Sequence, residues 1–246
     1  MPMNSFFEYV KLTFKQNNGL GGVSLLKHLK IFKEWKMQLQ SKKQPLDLEV
    51  PWITVVAKDY ILEYLNKKQK KETRIFEYGS GGSSLFFLNY AAEVVSTEHN
   101  EEWFNRVKDI IIHRNIQGWE GCFSKAEPIE KNLKDEKREA SNPDHYYSDD
   151  DNFKDYVFKN YASTIDKFQD NYFDIVLVDG RSRPSCIKHS VNKVKKGGLL
   201  VLDNAERRYY LHNDYLNNDS FELVLSLNGA LICYPSFTKT NIYLKK

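Results

Sequence analysis

The segment that most constrains this chain is Arg74–Leu88, RIFEYGSGGSSLFFL. A strand-like run, Ile75–Phe76–Glu77–Tyr78, meets Gly79–Ser80–Gly81–Gly82–Ser83–Ser84, and an apolar helix-like run, Leu85–Phe86–Phe87–Leu88, follows. In an open α/β sheet the first strand points its carboxyl end at the ligand crevice, and glycines there let the backbone approach a ligand. The helix start adds free N–H groups and a positive dipole end. Gly79, Gly81 and Gly82 therefore fit a nucleotide-binding corner, with Ser83 and Ser84 placed to cap the helix.

The chain around this corner keeps alternating. A helix is expected over PWITVVAKDYILEYLNKK, beginning at Pro51, then the strand RIFEYG, the glycine-corner helix and a strand over EVVSTEH. NEEWFNRVKDIIIHRN follows as a helix capped by Asn100, GCFSKAEP as a weak third strand, and YVFKNYASTIDKF as a helix. YFDIVLVDG reads as a buried strand, RPSCIKHSVNKVKKGG as a glycine-ended helix, LLVLDN as a strand and RRYYLHNDYLNN as helical. The strands FELVLSLNG and TKTNIYLKK close the chain. This order predicts an α/β fold: a seven-stranded, mostly parallel sheet with helices on both faces. The short final connection predicts a hairpin, with the last strand antiparallel.

Two segments fall outside that rhythm. Residues 1–50 read as a helical extension to a domain spanning 51–246. Leu25, Leu26, Leu29, Phe32, Trp35 and Leu39 recur there at helical spacing with lysines between them. Packing on the body is the expectation, with a membrane-surface helix or a lid as the alternatives. Residues near 130–155 form a polar insertion, read as a mobile surface segment or, alternatively, as a substrate loop offering Tyr146 and Tyr147.

Charge and cysteine content narrow the classes. The net charge of +3 comes from many charges of both signs and gives no argument for nucleic acid. Cys122, Cys186 and Cys233 are far apart, and no C-x-x-C pair exists. Three reduced thiols in a cytoplasmic protein are expected. No apolar run reaches the roughly 18–20 residues of a transmembrane helix, and the first residues do not read as a signal peptide.

The ligand follows from two acids. A dinucleotide fold uses a third glycine for close helix–strand packing; here that position is Ser84. Glu77 stands two residues before Gly79, where a carboxylate accepts hydrogen bonds from an ammonium group and repels a diphosphate. Glu98 lies about twenty residues beyond the glycines, the reach of a ribose diol. An amine and a ribose together describe S-adenosylmethionine.

The segments FEYGSGGSS, STEHN, FDIVLVDG, VKKGGLLVLDN and FELVLSLNG…TNIYLKK occur in one order. On them the chain resembles the class I S-adenosylmethionine-dependent methyltransferases, a Rossmann-like fold, over residues 51–246. It further resembles a bacterial subgroup of mostly unassigned substrate. The resemblance implies that Glu77, Gly79, Ser80 and Gly81 surround the methionine part of the cofactor, with Tyr78, Ser83 and Ser84 also cofactor-binding. Glu98 would then bind the ribose hydroxyls, His99 flank the adenine, Ala126 and Glu127 sit at the adenine edge, and Asp179 lie beside the methyl group.

The substrate side follows from the other strand ends. Asp179 ends the fourth strand and Asp203–Asn204 the fifth, and neighbouring strands lie about 5 Å apart. Methyl transfer needs an aligned nucleophile and often a base, for which Asp179 is the candidate. Arg181, Arg183, Arg207 and Arg208, with Tyr209 and Tyr210, follow the same strand ends and suit an anionic or sugar-like acceptor. Ion pairing with Asp179 and Glu206 is the structural alternative for these arginines. Asp179, Asp203 and Asn204 also resemble the metal site of catechol-type O-methyltransferases, but the lysine usual shortly after the first aspartate is absent from Gly180–Arg183. A metal-free site is the expectation and a divalent ion the alternative. No Asn-Pro-Pro-Tyr-like segment follows the fourth strand, so methylation of a nucleobase amine is not expected. The expected activity is O-methylation of a small-molecule or saccharide hydroxyl. An NAD-dependent oxidoreductase and a catalytically silent binding module are the alternatives.

Overall fold

A computed structural model describes residues 5–130 and 137–246. Strands of the main sheet are β1 (Arg74–Tyr78), β2 (Glu93–Glu98), β3 (Trp119–Phe123), β4 (Phe173–Val178), β5 (Val194–Leu202), β6 (Phe221–Ala230) and β7 (Phe237–Lys245). Their spatial order is β3-β2-β1-β4-β5-β7-β6. β1 to β5 run parallel to one another, whereas β7 is antiparallel to both β5 and β6.

The helices are α1 (Phe6–Asn17), α2 (Leu25–Ser41), α3 (Pro45–Leu48), α4 (Val55–Leu65), α5 (Gly82–Leu88), α6 (Glu101–His113), α7 (Lys159–Ser163) and α8 (Arg183–Ser190). Strand alternation sends side chains to opposite faces. Ile75 of β1 joins Ile61, Leu85, Phe87 and Val107 in one core cluster. Phe76 and Tyr78 join Phe158, Tyr161 and Ile187 in another. β4 is buried along its whole length, as its apolar run Ile175–Val178 requires.

The N-terminal helices bury a third cluster, in which Tyr9, Ile31 and Trp35 pack with Val55, Val56, Leu227 and Ile232. Trp35 Nε1 donates to the carbonyls of Leu231 (3.0 Å) and Tyr234 (2.9 Å). The expected apolar stripe is only partly the packed one. Leu29, Phe32 and Leu39 are half-buried, while Leu25 and Leu26 face outward.

Several expected elements move. The helix after Pro51 begins at Val55, capped by Thr54, whose hydroxyl accepts from Ala57 N. The third strand is Trp119–Phe123, and Glu127–Pro128 pairs separately with Tyr156–Val157. α7 ends after five residues and continues as a 3-10 turn, Thr164–Lys167. α8 stops at Ser190, and the segment VKKGG starts β5 instead of ending a helix. A register shift between Phe173 and Ile175 accommodates the Lys195–Gly198 bend, where an added Cβ on Gly198 would lie 2.9 Å from Asp174 O. The segment after β5 forms two short 3-10 turns, Arg208–Leu211 and Asp214–Leu216, in place of a helix.

Residues 131–136 of the polar insertion lie outside the described residues. The described remainder is docked on α8. Ser185 Oγ donates to Pro143 O (2.6 Å), Lys188 pairs with Asp144, and Tyr146 OH lies 3.3 Å from His189 Nε2.

Candidate active site

The connections of β1 and β4 leave the sheet in opposite directions, so their carboxyl ends flank the crevice where open α/β sheets bind ligands. A cavity of about 760 Å³ opens there. Its walls include the glycine loop, Glu98, His99, Trp103, Asp179 and, from the N-terminal region, Pro45 and Trp52. Gly79 has φ +97°, a left-handed conformation that favours glycine, and its N–H donates to Thr97 O at 2.8 Å. Its open side faces the backbone of Asp179 and Gly180 across the crevice.

Glu98 ends β2 and organises the loop by accepting three backbone N–H groups: Ser80 N on Oε2 (3.1 Å), and His99 N and Asn100 N on Oε1 (both 2.8 Å). Burial resists ionisation, but His99 and these donors outweigh it and hold the carboxyl below its ordinary value. His99 Nδ1 lies 2.8 Å from Glu98 Oε1, out of line for a hydrogen bond. The ring's Nε2 accepts from Arg181 Nε at 3.2 Å. Trp103 Nε1 donates to Ser80 O (2.7 Å), and its ring lies beside Gly81. Trp103 was not singled out as a site residue from the sequence, although it stands in the first turn of the helix that follows Glu98.

Glu77 is fully buried and does not line the cavity. Its Oε1 accepts from the hydroxyls of Ser84 and Ser96, the latter at 2.5 Å. Oε2 has no partner. Burial pushes this carboxyl up to about 7 against the lowering effect of the nearby serines. Ser84 also accepts from Gly81 N (3.0 Å), so the residue in the third-glycine position ties β1 to the loop. Ser80 and Ser83 reach the cavity wall, and Ser80 Oγ is a buried hydroxyl without a partner.

Of the residues expected at the cofactor, Glu77 and Ser84 lie behind the cavity wall, and Tyr78, Ala126 and Glu127 lie elsewhere. Tyr78 projects from the opposite face of β1, where its hydroxyl donates to Ala162 O (2.8 Å). Ala126 packs against the α7–α8 core, and Glu127 Oε1 accepts from Asn160 N (2.8 Å). Neither of these two lines the cavity. The expectation placed them just after a third strand running to Pro128, but that strand stops at Phe123 and the chain has already turned into a separate pair.

On the other wall, Val178 pairs with Leu202, which brings Asp179 and Asp203 side by side. Arg183 spans both ends. Nη2 donates to Asp179 Oδ1 (3.1 Å), Nε to Gly180 O (3.1 Å) and Nη1 to Asp203 O. Asp203 Oδ1 accepts from Thr240 Oγ1 (2.7 Å). Burial raises Asp203 to about 6 despite Arg183 and Thr240. Burial and the neighbouring Asp203 hold Asp179 well above its ordinary value, against Arg183. This donor set does not fit a divalent ion. The Arg183 guanidinium already supplies the positive charge against Asp179, and Asp203 turns its Oδ1 to Thr240. Among the described residues no group of three or more His, Cys, Asp or Glu is placed to hold a metal.

A second, polar cavity of about 450 Å³ adjoins the first and shares Gly180, Arg181, Arg183 and Asn204 with it. Tyr147, Asp149–Asn152, Arg207 and Tyr210 close it. Arg181 Nη1 binds Asp150 Oδ2 at 2.6 Å, and its guanidinium lies 5.2 Å from the Phe153 ring. The insertion is therefore strapped to the site. Arg207 Nη1 donates to Tyr210 OH (3.1 Å) and has no carboxylate partner among the described residues. Tyr209 OH reaches Asp149 Oδ2 at 3.5 Å. Of the two acids expected to neutralise these arginines, Asp179 pairs with Arg183, while Glu206 Oε2 accepts from Lys239 N.

No family profile matches the chain, and no curated protein matches it. Solved structures do. A candidate methyltransferase of Streptococcus mutans, SMU.1697c in complex with SAH, is 12% identical with a TM-score of 0.51, covering 76% of this chain and 97% of its own. Cofactor-bound Rv0187 from MTB is also 12% identical with a TM-score of 0.51, covering 96% of this chain and 97% of its own. An rRNA methylase of Streptococcus thermophilus is 12% identical at a TM-score of 0.46, covering 76% and 94%. With the observed strand order, the first two likenesses establish the class I methyltransferase fold.

Proposed function

We propose that this protein transfers a methyl group from S-adenosylmethionine to a hydroxyl oxygen of a small molecule or saccharide, and that the acceptor is anionic. The observation that carries this reading is the pair of adjoining cavities, one walled by the glycine loop, Glu98 and Asp179 and the other by arginines, meeting at Gly180, Arg181, Arg183 and Asn204. The residues present fit the cofactor. Ser80 Oγ is an unpartnered buried hydroxyl on the wall, and Glu98 keeps an ionised carboxylate there. Glu98 would hold the ribose hydroxyls, His99 and Trp103 would flank the base, and Ser80 and Ser83 would serve the amino-acid part. When bound, the cofactor supplies an electrophilic methyl carbon on a sulfonium.

The chain's own part is positioning and proton removal. Asp179 is the base. Its raised affinity for a proton lets it take one from an acceptor hydroxyl, while Arg183 stays against its Oδ1. Arg207, with Tyr210, would engage the acceptor's anionic group, since a charge-assisted hydrogen bond is worth about 1.5–3 kcal/mol. Three unpaired cysteines support a reducing compartment and cytoplasmic action.

S-adenosylhomocysteine release is measured against neutral, carboxylated and phosphorylated hydroxyl compounds. Turnover is expected with an anionic acceptor, falling between about tenfold and 150-fold in Arg207→Glu. Unchanged turnover after charge reversal at both Arg181 and Arg207 would remove the anionic acceptor from the account.

A further inference from the structure

The N-terminal helices turn a second pattern outward. Phe7, Lys11 and Phe14 of α1 are exposed at i, i+4 and i+7, and Leu26, Lys30, Lys33 and Met37 of α2 are exposed at i, i+4, i+7 and i+11. Phe7 is 77% exposed, Leu26 75%, Met37 63% and Phe14 59%. The opposite faces, with Tyr9 on α1 and Ile31 and Trp35 on α2, are buried in one cluster against α4 and β6. Both stripes therefore point away from the same body. Solitary exposed apolar residues are ordinary, but rows of them on adjacent helices mark an interaction surface.

Charge says what that surface meets. Residues 5–43 hold eight lysines and two glutamates, a net +6, whereas the whole chain carries only +3. One of the two acids, Glu34, is bound inward by Lys58 and Gln38. Lys11, Lys15, Lys30 and Lys33 have no carboxylate partner among the described residues. A second copy docked by a two-fold axis would set lysine rows against each other. A nucleic acid would satisfy the lysines and leave the phenylalanines, leucine and methionine in water. An anionic bilayer surface satisfies both: acyl chains take the apolar residues and headgroup phosphates the lysines.

We propose that α1 and α2 dock this protein on an anionic lipid surface. The inference is independent of the reaction assigned above. α2 is fixed to the 231–234 turn by Trp35 and by Gln38 Oε1, which accepts from Cys233 N (3.3 Å). On that turn Tyr234 lies 6.0 Å from Trp52, a cavity-wall residue, and both are about half exposed. Tyrosine and tryptophan suit a boundary that is apolar on one side and wet on the other.

The test is co-sedimentation of the full chain with phosphatidylcholine vesicles, with and without phosphatidylglycerol, at low and high salt. The expected result is salt-sensitive binding only to the anionic vesicles. It weakens about tenfold or more both in Phe7→Ser/Leu26→Ser and in Lys30→Glu/Lys33→Glu. Thermal melting identifies any variant that fails to fold; single substitutions at the same four exposed positions then replace it. Absence of vesicle binding at low salt overturns the proposal. So does lipid-free self-association that the same variants abolish, or binding to vesicles and RNA alike that the apolar variant leaves intact.

Discussion

Arg183 shows how one side chain can set the chemistry of two others. Its guanidinium touches the ends of β4 and β5 and lies 5.4 Å from the Tyr210 ring, so a single cation organises Asp179, Asp203 and Tyr210. The sequence marks Asp179 and Asp203 because both end buried strands. It does not mark which of four nearby arginines pairs with them, since that depends on the helical turn that places Arg183 four residues after Asp179. The pair has a pH signature. Asp203 contributes to raising Asp179, so neutralising Asp203 lowers the proton affinity of Asp179. In Asp203→Asn, where the amide oxygen can still accept from Thr240, the acidic limb of the pH–rate profile is expected to move to lower pH. A limb that stays in place would show that the rate does not report the Asp179 titration. The place of Glu98 on the cavity wall was legible from its spacing beyond the glycines. Tyr78 is absent from the cavity because its ring is packed in the core on the opposite face of β1 from Glu77, with its hydroxyl on Ala162 O.

Elements were legible where a periodic pattern was long and failed where it was short. β1, β2, β4 and the closing hairpin follow their apolar runs. The expected helix at 207–218 is two 3-10 turns instead, and they bury Tyr210 against Arg183. α3 was invisible in advance, being only four residues long, yet its backbone packs directly against the glycine corner. An added Cβ on Gly82 would lie 2.4 Å from both Pro45 O and Val50 O. The glycine is thus required by close approach of the N-terminal backbone. Gly82→Ala is expected to cost about 1–3 kcal/mol in urea unfolding, through displacement of α3. An unchanged midpoint would mean that this contact does not hold the two segments together.

At the scale of the whole molecule, the order of strands and helices carried the fold class from sequence to structure, because right-handed parallel crossovers leave few other arrangements. It did not carry the docking of the polar insertion, whose anchor Arg181–Asp150 joins residues thirty-one apart in a segment without periodicity. Nor did it carry the acceptor, since one fold serves many substrates. The central claim is that the larger cavity is an S-adenosylmethionine site built around Glu98. Calorimetric titration with S-adenosylhomocysteine, with NAD as the control, tests it most directly. The account predicts binding of the first ligand alone, and its loss in Glu98→Ala, since that substitution removes the acceptor of three loop N–H groups as well as the ribose contact. Binding of NAD in its place, or no response to either ligand, would contradict it.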